Sequence, residues 1–500
     1  MKALSYIFSI AAVAVLASCS KSYLNVTPTS SITVANFYKS QLDIQQAVNG
    51  VYAGLRDWPV DIYWYLSEVR SPNYYITYDG AQRDWYDLNN FQDNPQTQII
   101  HDTWQSLYAM INRANEVLAN IDQIPFSSQA LKTQYKAEVR FLRAFAYFQL
   151  VRLWGNVPIV DHVISPSEAL TIKQSDPATV YKFITSEMNA IKDSLPVQYT
   201  NSADIGRADQ WAVKGILAKV YLTMAGYPLH QKDKLDSAKA LLQEIISHEG
   251  QYPHLNLISN YANLFGYKND NLHNIFEVEY ISGGLGEGSS FPSQNIPPNL
   301  NASLVSVSSL LFNTSTQVSS DLINSYDTND LRFNVTIDTA YLTNDNPPII
   351  AHTPFFKKFV DFGLTNLTSY NDWPENFPLL RYEDILLMYA EVLNDEASAP
   401  PAQAITILNR IRARAGLSPV TPVTTQDFAL ALETERRHEF ADEGQYWFDL
   451  VRTDRAIPVE NAYLQATGRN KTIDQHNLFY PIPQTEIDIY PGLYQQNPGY

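Results

Sequence analysis

Cysteine is almost absent from the chain: Cys19 is the only one in 500 residues. No intramolecular disulfide can form, so stability outside the cytoplasm has to come from packing alone. Basic residues are also scarce, with 35 Lys and Arg against 52 Asp and Glu and a net charge of −17. The clustered cations that a phosphate backbone requires are missing, which argues against nucleic acid and favours neutral or cationic ligands. No apolar run reaches the roughly 20 residues needed to span a bilayer core. A Walker loop and a G-x-S-x-G elbow are lacking too. Nine histidines are scattered without ligand spacing. His438 and Glu439 begin an HExxH-like string, but Asp442 stands where the second histidine would be. Gly284, Gly286 and Gly288 follow an expected strand, yet Pro292 and Pro297 occupy the place of a dinucleotide-binding helix. A glycosidase needs only two carboxylates at a suitable separation, so that reaction class stays open.

Cys19 itself carries a strong signal. Lys2 supplies a positive n-region, Ala3 to Ala17 a short apolar stretch, and Leu16, Ala17 and Ser18 lead into the cysteine as a bacterial lipobox. Residues 1–18 read as a lipoprotein signal peptide. Cleavage would leave Cys19 diacylated at the start of a chain anchored to a membrane, with a net charge of −18 once Lys2 is lost. Residues 19–36 are polar, carry Pro28, and read as a tether.

Helical periodicity begins after the tether and makes the chain mainly α. Leu42, Val48, Val51, Tyr52 and Leu55 share one face. Trp104, Leu107, Tyr108, Ile111, Ala114, Leu118 and Ile121 form a longer stripe. Leu131 to Leu153 is apolar almost all round, which predicts a buried central helix ended by Gly155 and Pro158. Asp176 and Pro177 are a cap and first-turn pair, with Val180, Ile184, Met188, Ile191 and Leu195 facing inward. Trp211 to Ala225 carries the small residues Ala212, Gly215 and Ala218, which would let Leu235 to Ser247 approach closely. Tyr382 to Asn394 and Ala402 to Ala415 repeat that arrangement. Both pairs fit a tetratricopeptide-like unit, and plain helical packing fits them as well. Residues 251–375 break the pattern, with short strand-like pieces at Ile275 to Tyr280 and Arg332 to Ile337. The last segment, Tyr480 to Tyr500, should wrap over the helices as coil pinned by Tyr490, Tyr494 and Tyr500.

The chain holds 32 tyrosines and eight tryptophans, and their densest cluster is Trp58, Tyr63, Trp64, Tyr65, Tyr74, Tyr75, Tyr78, Trp85 and Tyr86. Among these rings lie Asp79, Arg83, Asp84, Asp87 and Asn89. A sugar presents an apolar CH face and a polar hydroxyl edge, so a ring beneath it and a charged or amide group beside it satisfy both. Gly80 and the loss of helical periodicity place Tyr74 to Tyr86 on a loop, where binding groups concentrate. Trp58, Tyr63, Trp64 and Tyr65 lie nearer the preceding helix and are assigned to the core. Tyr75, Tyr78, Trp85 and Tyr86 suit binding and packing equally. Asp79, Arg83 and Asn89 are the expected hydroxyl partners. Glycine-rich Tyr280 to Phe291 is a second candidate wall, expected to be mobile.

Three strings add a resemblance. Ala137 to Val160 reads AEVRFLRAFAYFQLVRLWGNVPIV. Leu380 to Leu417 contains LRYEDILLMYAEVLND and LNRIRARAGL, and Glu435 to Arg452 contains ERRHEFADEGQYWFDLVR. With YLNVTPTSS, WQSLYAMINRANEVLANI, PIPQTEI and QQNPGY around them, they resemble the SusD/RagB family of outer-membrane nutrient-binding lipoproteins in the same order along the chain. The resemblance implies a helical body on tetratricopeptide-like pairs and a loop-rich half with minor short strands. It implies one SusD-like domain over 37–500, in which 251–375 lies on the ligand side and 376–500 is the C-terminal family region. The implied function is nonenzymatic capture of oligosaccharides or other nutrients at the outer face of the outer membrane, with delivery to a SusC-like TonB-dependent transporter. The alternatives are a surface glycoside hydrolase and an adhesive or structural lipoprotein. No cofactor is implied, and a structural calcium is left open. Glu138, Arg143, Glu391, Arg412 and Arg436 of the family strings are expected to pair and fix helix register. Two departures stand out: Ser20 to Tyr23 lack the acidic residues that many surface-exported relatives carry after the cysteine, and Pro72 stands where relatives commonly have Asp.

Overall fold

The computed structural model describes residues 37–500 except 79, 82, 267–272, 298, 301–315 and 365–366. Cys19, the tether and Asp79 therefore lie outside the described residues. The body is mainly helical, as the periodicity predicts. Helix α1 (Gln41–Tyr52) opens with a capping box in which the Ser40 hydroxyl and the Asp43 carboxylate serve each other's backbone N–H groups. Its buried face is Ile44, Val48 and Val51, continued by Leu55. Leu42 is 59% exposed and does not belong to that face; Ile44, two residues on, takes its place.

Helices α2 (Gln98–Asn120) and α3 (Gln129–Trp154) pack on each other, and α3 packs in turn on α4 (Pro177–Ile191). Most of α3 is buried, and it stops where Gly155 turns to φ +70°. Asp176 caps α4 by accepting the Thr179 N–H at 3.0 Å. Helix α5 (Gln210–Ala225) packs on α6 (Leu235–Ile246), as the small residues suggest. The closest approach lies elsewhere, however. A Cβ on Gly215 would fall 2.4 Å from Leu380 Cδ2 and 3.0 Å from Ile385 Cδ1. The notch therefore accommodates a strand and a helix from the far end of the sequence, not α6.

That far end is α7 (Tyr382–Asp395), which packs against both α6 and α8 (Ala402–Arg414). It is led in by strand Phe377–Arg381, paired antiparallel with Asn274–Val278. Helices α9 (Thr425–Glu439) and α10 (Tyr446–Arg452) complete the C-terminal part. Within 251–375 the expected strand at 275–280 is present, whereas Arg332 to Ile337 is mostly the short helix Phe333–Thr336, followed by a two-residue strand. The tail is held by Tyr500, as expected, and also by Asn497, which was not expected. Asn497 donates to the carbonyls of Trp154 (3.0 Å) and Tyr480 (2.7 Å), and the Tyr500 hydroxyl to that of Phe479 (3.2 Å). Tyr490 is half exposed and pins nothing of this kind.

The charged residues of the family strings are paired throughout. Glu138 binds Arg207 (2.8 Å), Arg143 binds Glu187 (2.6 Å), Arg412 binds Glu435 (3.2 Å) and Arg436 bridges Asp384 and Asp449 (both 2.8 Å). Glu391 accepts a fork from Arg452, one arm at 2.8 Å. Deeper still, Arg332, Arg381 and Arg414 share Glu435, Glu439, Glu443 and Glu383 in a buried lattice. Removing one member would leave its partners charged and unpaired in the interior. Glu439 is thus a structural carboxylate, and His438 stacks on Tyr326 with 4.1 Å between ring centroids.

Candidate functional site

The ring-rich stretch is built differently from a loop. After α1 the chain enters a π-helix, Pro59–Glu68, whose wider winding closes with the Val69 N–H on the Trp64 carbonyl at 2.8 Å. Trp58, Tyr63 and Trp64 are buried, as assigned. Tyr65 is only half-buried and turns toward Trp85, with ring centroids 6.3 Å apart and a 38° tilt. Trp85 and Tyr86 sit on a short helix, Asp84–Asn89, and Tyr74–Ile76 is a strand paired antiparallel with Thr316–Val318. Both elements correct the loop assignment. Their sequences are too short to show a period, and the strand forms only through a partner more than 200 residues away.

Four expected residues come together. The Arg83 guanidinium lies 5.4 Å from the Trp85 ring, and Tyr78 meets Tyr86 edge-on with centroids 5.4 Å apart. Tyr78 is 60% exposed, and Trp85 and Tyr86 are half-buried. Partly exposed rings beside a guanidinium suit a sugar.

Two residues belong to the scaffold instead. Asn89 is fully buried, and its amide is used up inside the protein. It donates to the carbonyls of Val69 (2.7 Å) and Tyr74 (3.2 Å), and accepts from Ile76 N–H (3.1 Å) and Arg469 (2.8 Å). It cannot reach a ligand hydroxyl and is withdrawn from the site. Tyr75 packs under the Arg469 guanidinium, 4.9 Å from its ring centroid, and this places it with the same scaffold. Pro72 likewise lies in a buried knot, where its carbonyl accepts the Ser319 hydroxyl and Arg437.

Of the two carboxylates beside the Tyr65–Trp85 pair, sequence reasoning names Asp84 among the rings without a role and misses Asp61. Asp61 projects from the π-helix, and burial together with the charges of Asp57 and Asp102 pushes its carboxyl up to about 7. Asp84 accepts the Ile99 N–H at 2.9 Å, supplying the start of α2 with a cap that Thr97 does not provide, and burial raises its carboxyl as well. Burial, with the charges of Asp84 and Asp61 added to it, pushes the ionisation of the Tyr65 hydroxyl far up. A helix of five-residue hydrogen bonds has no recognisable spacing, which is why Asp61 gave no signal.

The second wall adjoins the first. Arg56 donates to the Gly286 carbonyl and pairs with Glu287 at 3.5 Å, while the Tyr280 hydroxyl donates to the Arg56 carbonyl. The glycine run is fastened at its base: Gly283 and Gly284 N–H groups both donate to Asp372 Oδ1, at 3.0 and 2.9 Å. Most of the run nevertheless faces solvent, from Ile281, 55% exposed, to Leu285, 68% exposed. Among the described residues no group of His, Cys, Asp and Glu is arranged to hold a metal ion, and no helix is long and apolar enough to cross a membrane.

Two family models match the chain. One, described as the SusD family, matches residues 309–500, and the other, described as starch-binding and associating with outer membrane, matches residues 22–222. A SusD-like protein of Formosa agariphila is 27% identical over 97% of each chain. Among solved structures, a laminarin-binding SusD-like protein is 28% identical, covering 93% of this chain and 100% of its own with a TM-score of 0.76. A SusD homologue from Bacteroides thetaiotaomicron, 23% identical, shares the fold with a TM-score of 0.81 over 93% of this chain and 98% of its own.

Proposed function

The chain belongs to the SusD family, and from that premise we propose that it captures neutral oligosaccharides at the Tyr65–Trp85 wall and releases them chemically unchanged. The supporting observation is the pairing of those two rings at 6.3 Å with Arg83, Tyr78 and Tyr86 beside Trp85. Rings stack on sugar faces, while Arg83, Asp84 and Asp61 serve the hydroxyl edge. Each hydroxyl contact gains little, because desolvation offsets it, so capture depends on several rings acting together. Asp57, Asp61, Asp84 and Asp102 outnumber Arg56 and Arg83 around the wall, which favours neutral sugars over uronic or sulfated ones.

The same reading places the protein on the outer membrane, anchored through lipid on Cys19 and facing outward, with a SusC-like TonB-dependent transporter as its partner. Confinement against that transporter would raise the effective concentration of a weakly held glycan. Isothermal titration with laminarin, xyloglucan and alginate tests the binding site. A neutral glycan should bind and alginate should not, and Trp85→Ala should weaken binding at least tenfold in protein that is still folded at the assay temperature. Equal affinity in Trp85→Ala would remove this wall from the site. Reducing ends released from the bound glycan would make the protein a hydrolase, and purification without any β-barrel partner would remove the transporter.

A further inference from the structure

Arg152, in the last turn of α3, carries a charge that no acid answers. Its guanidinium lies 4.3 Å from the Phe148 ring centroid and 3.8 Å from that of Phe448. It donates to the Gln149 side-chain oxygen and has the Tyr63 hydroxyl as its other polar neighbour, while its Nε is buried without an acceptor. Among the described residues no carboxylate pairs with it. Asp449, whose charge reaches it, is already held by Arg436 and Arg452, each at 2.8 Å. An arginine does not give up its proton in a protein, so the charge stays, and the two rings offset only part of it.

Three more cations line the same small cavity, of about 10 Å³, where α3, α5, α7, α9 and α10 meet. Lys219 pairs with Asp384 at 2.6 Å, Arg436 with Asp384 and Asp449, both at 2.8 Å, and Arg452 with Asp449 and Glu391, both at 2.8 Å. Those three carboxylates balance three of the cations, and Arg152 is left over. Burial, reinforced by the like charges of Arg436 and Arg152, holds the Lys219 ammonium below its usual range. Lys219 also has a donor to spare: Asp384 and the Gln445 side-chain oxygen, at 3.1 Å, take two of its three protons. A buried charge without a counter-charge is costly, and the cavity has room for one small ion. Its volume is roughly that of a single water-sized particle, which is too little for phosphate or an organic acid. Leu222, Met388 and Phe448 give it apolar walls, and the flexible Met388 can adjust to an ion slightly wider than water. A larger cavity of about 240 Å³ adjoins it, shares Leu222, Arg436, Asp449 and Arg452, and offers a path for exchange.

We propose that this cavity binds one chloride ion as the counter-charge of Arg152, held between the edge of the guanidinium and the Lys219 ammonium. A water molecule there would accept a hydrogen bond and leave the extra charge standing. Bromide can replace chloride, whereas iodide is too wide. None of the rings of the sugar wall lines the cavity, so the ion acts on the stability of the helical body and not on glycan capture.

Thermal unfolding of the purified protein in sodium chloride, gluconate and iodide at equal ionic strength tests the site. Chloride should raise the melting temperature saturably by several degrees over gluconate, and iodide should not. Arg152→Gln removes the surplus charge and should weaken the apparent chloride affinity at least tenfold, with glycan binding unchanged. Crystals of the parent protein soaked in bromide give a reading that needs no variant: an anomalous peak within hydrogen-bond reach of Arg152 and Lys219. Equal stability in chloride and gluconate, equal stabilisation by iodide, an undiminished chloride response in Arg152→Gln, or no bromide peak in the cavity would overturn the proposal.

Discussion

The Tyr74 hydroxyl donates to Asn295 Oδ1 at 2.7 Å, joining the strand beneath the ring wall to a segment 221 residues further along. The same hydroxyl accepts from Trp64 Nε1 at 2.9 Å, and Asn295 Nδ2 donates on to both oxygens of Asp442, at 3.1 and 2.9 Å. A buried line of polar groups thus runs from the π-helix to the FADEGQYW string. Tyr74→Phe takes the donor away from Asn295 Oδ1 and should cost ~1–3 kcal/mol of stability. Urea denaturation would show it as a lower midpoint at unchanged slope.

Asn89 and Trp85 lie on one short helix and should respond oppositely to truncation. Asn89→Ala removes four buried hydrogen bonds and should lower stability by ~2–3 kcal/mol. Its glycan affinity, measured well below the melting temperature, should stay within about twofold of the parent. A tenfold loss of affinity in a folded Asn89→Ala protein would return this residue to the ligand.

Asp61 makes selectivity depend on pH. Its carboxyl is held at about 7, so it is mostly protonated at pH 6 and mostly ionised at pH 8. Ionisation adds negative charge beside the Tyr65–Trp85 pair. The preference for neutral over uronic glycans should therefore increase as pH rises through 7, and Asp61→Asn should flatten that rise. Affinity electrophoresis at pH 6 and 8 reads both.

Glu460 on the helix Ala456–Ala466 is fully buried, and neither of its oxygens has a hydrogen-bond partner among the described residues. Burial lifts its carboxyl to about 8, and Glu375 behaves in the same way. The folded state therefore keeps a proton that the unfolded chain releases near pH 4.5. Stability from these groups is fully present below that point and is lost as pH rises through about 8, by up to ~1.4 kcal/mol per pH unit for each group. Glu460→Gln should leave the melting temperature unchanged near pH 4 and raise it at pH 8.

Long amphipathic elements were legible because their period repeats. The stripe from Trp104 and the all-round apolar α3 follow from many residues speaking for one another, and the Asp176–Pro177 cap from a local pair that needs no distant partner. What escaped is set by distant partners. Tyr74–Ile76 is a strand only against Thr316–Val318, and the Asp84 cap serves α2 from 15 residues away. Leu42 shows that a five-residue stripe can be misplaced by a position or two. In the candidate site the exposed rings and Arg83 were readable from composition, whereas Asp61 lay hidden in a π-helix and Asn89 resembled a ligand group because its buried partners do not show in sequence.

The Gly215 notch makes the molecule a lock that needs both of its parts. Its filler, Leu380 and Ile385, is encoded more than 160 residues later, and the two stretches matched by the family models lie on opposite sides of that gap. Those stretches are therefore not interchangeable cassettes. A hybrid taking its first part from one relative and its last from another would stay open along this seam unless glycine and leucine were inherited together.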